Sequence, residues 1–71
     1  MNTKTAMRYI RDHYAPILEA DSIETAHKMK MVASTYVFAW TLSGPLENVE
    51  SEQLYKEIEA VYNVMVDKLK G

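Results

Sequence analysis

Glu24-Thr25-Ala26-His27 sets a carboxylate and an imidazole three residues apart, a spacing that puts both on one face of a helix. Helical bundles that hold a carboxylate-bridged metal pair use this pairing twice, with further inward-facing carboxylates completing the ligands. Here it occurs once, so a metal site would need a second copy of the chain, with Glu19 or Asp21 nearby. Glu24 also has a plainer role as an acidic group near the positive end of a helix dipole. A dimeric metal-binding protein using Glu24 and His27 is therefore kept as an alternative, and no metal ligand or cofactor is assigned.

His13 follows Asp12, but adjacent helical residues point in different directions and do not form an acid–base pair. On a helical projection His13 falls near Ala6 and Ile17, at the margin of an apolar face. That is the position of a structural histidine, and near an interface it would make association depend on pH. Ser22, Ser34, Ser43 and Ser51 sit in no Gly-x-Ser-x-Gly turn, and there is no glycine-rich phosphate loop. Glu50, Glu52, Glu57 and Glu59 read as a solvated helix surface, and a catalytic carboxylate pair needs a cleft that three short helices do not offer. No catalytic residue is assigned, and neither enzyme activity nor a small-molecule substrate is expected.

Lys4, Arg8 and Arg11 make a basic stripe near the N-terminus, with Tyr9 on a polar side of the same segment. These four residues are the candidates for contact with a partner, an acidic protein surface or phosphates. Arg8 with Asp12 at i,i+4 is the ordinary solvated reading. A small DNA-associated regulator using the stripe and Lys28 is the second alternative. Three basic residues are a thin footprint, and the central segment is apolar where a recognition helix carries base-reading groups, so nucleic acid is not the expected partner.

The net charge of −2 gives little bulk attraction to nucleic acid or anionic membrane. Residues 1–30 carry +1 and residues 31–71 carry −3, a mild asymmetry. The absence of cysteine excludes disulfides and thiolate metal sites and fits a reducing compartment, so a cytoplasmic protein is expected. Arg8, Arg11 and Asp12 stand where a signal peptide would have an apolar run. The longest charge-free stretch, Met31 to Leu46, is shorter than the roughly 20 apolar residues of a spanning helix.

Seventy-one residues make one domain. A core of that size supplies only ~3–5 kcal/mol unless something supplements it, and without cysteine the supplement is oligomerisation or very good packing. Two glycines and two prolines punctuate the chain, which favours a few long elements.

Those elements are three helices. Met7, Ile10 and Tyr14 share one face of a first helix from about Thr3 to Tyr14. Pro16 ends it there or kinks it into a continuation to Glu19, and Ile17 and Leu18 keep the phase. Asp21-Ser22 offers an N-cap, with Asp21 and Glu24 spaced as a capping box, and Gly44-Pro45 stops a helix of about 22–43. Asn48 or Ser51 caps a third helix running to about Lys70, whose seam is Leu54, Ile58, Val61, Met65 and Leu69. Val32 to Leu42 is also rich in β-formers, but no other segment resembles a partner strand, so the helix is preferred. The expected architecture is all-α, a long antiparallel hairpin of the second and third helices with the first packed across it.

The middle helix is the informative one. Ala26, Met29, Ala33, Tyr36, Val37 and Trp40 occupy one arc, enough to cover the other two helices. Met31, Phe38 and Leu42, with Thr35 beside them, fall on a separate arc, and Val32 and Ala39 lie between. A helix apolar nearly all round is normally buried on all sides, which a three-helix monomer does not provide. Met31, Thr35, Phe38 and Leu42 are therefore the expected self-association residues of a homodimer. Coverage of both arcs by the chain itself, with Leu46 and Val49 helping, is the plain alternative. The five methionines, five tyrosines and Trp40 suit either a recognition surface or a core. Tyr14, Tyr36, Tyr55 and Tyr62 all fall on apolar arcs. The function expected from these residues is non-catalytic, a small protein acting by protein–protein binding as regulator, inhibitor or assembly subunit.

Overall fold

The structure, a computed structural model, describes residues 2–70. It is all-helical, with α1 Thr3–Asp12, α2 Tyr14–Leu18, α3 Ile23–Ser43 and α4 Asn48–Lys70. The first two form one kinked arm, so three helical units pack together, and α3 and α4 make the expected antiparallel hairpin.

The arm starts at Asn2, whose side chain accepts from the Thr5 N–H at 2.8 Å. It breaks at His13 rather than ending there. Pro16 has no N–H to offer the Asp12 carbonyl, so the α-helical ladder cannot run through. The His13 N–H closes a tighter turn onto the Ile10 carbonyl at 2.9 Å. Pro16 then falls in the first turn of α2, where a backbone donor would have no intrahelical acceptor. The kink reading of Pro16 is the one the structure adopts.

Ser22, not Asp21, caps α3. Its backbone is extended and its hydroxyl oxygen accepts from the Thr25 N–H at 3.1 Å. That register leaves the proposed Asp21–Glu24 capping box unformed, with Thr25 in place of Glu24 at the third helical position. The far end follows the expected rule. Gly44 is left-handed at φ 109°, and the Gly44 and Leu46 N–H groups both return to the Trp40 carbonyl, at 3.2 and 3.3 Å. At the start of α4 the Glu50 carboxylate accepts from the Glu47 N–H at 3.1 Å, half of a capping box.

The core takes Ala6, Ile10 and Ile17 from the arm, Ala26, Ala33 and Val37 from α3, Leu46 from the turn, and Leu54, Ile58 and Met65 from α4. Each set repeats at helical spacing, and three of the ten are alanines that let backbones approach closely. Met29, Tyr36, Trp40, Val61 and Leu69 are half-buried around it. Thr3 Oγ1 donates to the Pro45 carbonyl at 2.7 Å, fastening the start of α1 to the hairpin turn. Thr41 and Ser51 hydroxyls meet between α3 and α4. No helix among the described residues is long and apolar enough to cross a membrane.

Candidate functional site

The arm covers one side of the hairpin and leaves the other bare. On α3 the inward arc is buried or half-buried, as its spacing predicts, and the outward arc is not. Met31 is 51 % exposed, Val32 44 %, Phe38 59 % and Leu42 73 %. Ala39 is exposed between them. Of the two residues expected to help cover this face, Leu46 in the turn points inward and Val49, in the first turn of α4, stays 73 % exposed. Leu18 and Val64 are also exposed, but each lies on a different helix and not on this face.

The polar group on this face is already satisfied. Thr35 Oγ1 donates to the Met31 carbonyl at 2.8 Å, one turn back, so its methyl is what the face presents. Burying the face would strand no side-chain donor on it.

A hollow lies on each flank of the ridge. On one flank, Phe38, Thr41 and Leu42 face Ser51, Tyr55 and Glu59 of α4 across an open groove of about 670 Å³. On the other, Met31, Val32, Thr35, Tyr36 and Ala39 line a depression of about 480 Å³. The groove's charged rim is paired within the chain: Lys56 with Glu52 at 3.4 Å, and Lys30 with Glu59 at 2.6 Å. Lys30 also sits 4.6 Å from the Tyr62 ring centroid.

Compared with family models, curated proteins and solved structures, the chain has no significant match.

The three cations of the basic stripe are not equally free. Lys4 and Arg8 are exposed, and the expected Arg8–Asp12 pair is not among the ion pairs of the described residues. Arg11 is committed to Glu57: Nε donates to Oε1 at 2.9 Å and Nη2 to Oε2 at 2.8 Å. The Tyr14 hydroxyl donates to Glu57 Oε1 at 2.9 Å, and Gln53 Nε2 donates to Oε2 at 3.2 Å. Arg11 hydrogen-bonding holds the Glu57 carboxyl below the ordinary carboxylate range against the opposing effect of burial, with Tyr14 adding to it. Burial first, and Glu57 second, push the Tyr14 hydroxyl above its ordinary value.

One reading of the sequence is corrected here. Glu57, taken as solvated surface, is the hub of this network, whereas Glu52 and Glu59 are solvated as expected, 73 % and 54 % exposed in their ion pairs. Tyr9 stays 43 % exposed, as its polar side predicts, and also packs its ring 5.1 Å from Trp40, 5.7 Å from Tyr36 and 4.8 Å from His13. His13 completes the cluster at 4.8 Å from Tyr36. Its Nδ1 lies 2.9 Å from the Tyr9 carbonyl, a contact that requires the proton on Nδ1 because a carbonyl only accepts. The Glu57 correction was not open to helical spacing alone, since it depends on which neighbour the arm meets.

Glu24 and His27 do not converge on further ligands. Glu24 faces Lys28 at 3.8 Å in an exposed pair, and the His27 ring stands edge-on to Tyr62 at 6.1 Å. Among the described residues, no three or more His, Cys, Asp or Glu side chains are grouped to hold a metal ion.

Proposed function

We propose that this chain is a non-catalytic binding protein whose working unit is a homodimer, formed through the outward face of α3 around Met31, Thr35, Phe38 and Leu42. The observation that carries this is the exposure of Phe38 and Leu42, 59 % and 73 %, in the middle of the longest charge-free stretch of the chain. Burying side chains of that size stabilises by about 1–2 kcal/mol each in every copy, allowing for the part already covered. Thr35 already donates to its own helix, so burying it leaves no donor without a partner.

Size supports the same reading. A standard interface removes about 800 Å² from each partner, roughly a sixth of this chain's 4663 Å² surface. One long side of a molecule measuring 39 × 16 × 16 Å is of that order. The dimer would leave Lys4 and Arg8 in solvent for a further, acidic protein partner. Arg11 and Tyr9 are less suited to that role because each is engaged within the chain. Regulator, inhibitor and assembly subunit are the roles this architecture serves.

Light scattering at micromolar concentration tests the reading. Twice the chain mass is expected for the native protein and a single chain mass for Leu42→Glu, with the helical circular dichroism of both alike. A single chain mass for the native protein would overturn it.

A further inference from the structure

We infer that the two copies pair through α3 in antiparallel orientation, about a twofold axis passing between Thr35 and Phe38, with Met31 against the partner's Leu42. This rests on the homodimer reading above and specifies its geometry.

The ridge residues Met31, Thr35, Phe38 and Leu42 are spaced four, three and four apart, the seam of a helix that packs lengthwise on another. The middle of the seam holds one small and one large side chain. Antiparallel pairing about that axis sets Thr35 against the partner's Phe38 twice over, so each ring fills the space a threonine leaves. The two ends are closed by Met31 against the partner's Leu42. Parallel pairing in register sets Phe38 against Phe38 and Thr35 against Thr35. The first crowds the contact and the second leaves it empty, and each departure from complementary packing costs stability.

Charge favours the same orientation. One turn before Met31 lies Lys28, 69 % exposed, with its ammonium 3.8 Å from Glu24 at the outer limit of an ion pair. A parallel seam would bring Lys28 beside Lys28 and Glu24 beside Glu24. The antiparallel seam brings Lys28 level with the partner's turn after α3, where Glu47 is exposed. The antiparallel seam thus sets an exposed cation against an exposed carboxylate at each end.

The chain has no cysteine, so introduced thiols report without background. Met31 and Leu42 stand eleven residues apart, about 16 Å along the helix. Treat Met31→Cys, Leu42→Cys and an equilibrated mixture of the two with a thiol–thiol cross-linker of about half that span, after confirming a dimer mass for each. Covalent dimers are expected in the mixture and not in either variant alone. Cross-linking of Met31→Cys with itself would overturn the orientation while leaving the dimer standing, as would a dimer that cross-links in no combination. A monomeric native mass would remove the homodimer reading itself. As a second measurement, Lys28→Glu should weaken dimerisation about tenfold, and adding Glu47→Lys should restore it; no recovery overturns the antiparallel register.

Discussion

Arg11 and Glu57, 46 positions apart, meet in a two-point ion pair at 2.9 and 2.8 Å that ties the arm to α4. The arm is otherwise a short, kinked element with three buried side chains, Ala6, Ile10 and Ile17. This pair, with Tyr14 on the same carboxylate, fixes how it lies across the hairpin.

Its contribution should depend on pH with a definite sign. Glu57 is held below its ordinary value in the folded chain. It therefore stabilises above its unfolded pKa of about 4.3, and that stability is lost as pH falls through the folded value. The pair is partly solvated, its side chains 42 % and 31 % exposed, so screening limits the effect of Glu57→Gln to about 1 kcal/mol at neutral pH. Thermal melts of native and Glu57→Gln protein should differ at pH 7 and converge towards pH 3. A gap of constant size over that range would contradict the role given to Glu57.

Tyr14 titrates with the opposite sign. Its hydroxyl is pushed up on folding, so its stabilisation is complete below about pH 10 and is lost as pH rises through the folded value. Tyr14→Phe should cost about 1 kcal/mol at pH 7, the net worth of one hydrogen bond. It should also remove part of the alkaline decline seen in urea titrations above pH 10.

Gly44→Ala should destabilise by about 1–2 kcal/mol through the backbone alone. A Cβ at Gly44 meets nothing within 4 Å, yet φ is 109°, which side-chain-bearing residues rarely adopt. Urea denaturation measures the loss, and Gly44→Asn should lose less because asparagine tolerates left-handed backbone better. Equal, negligible effects would mean that the α3 end does not depend on that conformation.

Ile58 and Val64 are both apolar residues of α4, but one is 1 % exposed and the other 59 %. Ile58→Ala should cost about 2–5 kcal/mol, a large share of the stability of so small a domain, and Val64→Ala under about 0.5 kcal/mol. Denaturation midpoints of the two variants separate them; similar losses would mean α4 is rotated from the orientation described.

The native melting temperature should rise with protein concentration, since association stabilises only the folded chain. Phe38→Glu should melt at a temperature independent of concentration, with its far-ultraviolet spectrum unchanged. Concentration-independent melting of the native protein would count against the dimer.

What the amino-acid sequence by itself determined is the local part of this molecule. Gly44, Pro45 and Pro16 act through their own backbone preferences, so the end of α3, its turn into α4 and a break in the arm near Pro16 were legible without knowing any neighbour. Helical spacing likewise separated the two apolar arcs of α3, because a side chain's place on a helix follows from its number alone. Only the tertiary structure decided the rest. Whether Asp21 or Ser22 would cap depended on the path of the incoming chain. Whether Glu57 was a solvated carboxylate or the partner of Arg11 and Tyr14, and which rings the half-exposed Tyr9 would meet, depended on where two other helices docked. The arm has one covered side to offer, so of the two greasy arcs on α3 it could bury one, and Phe38 and Leu42 were left on the outside.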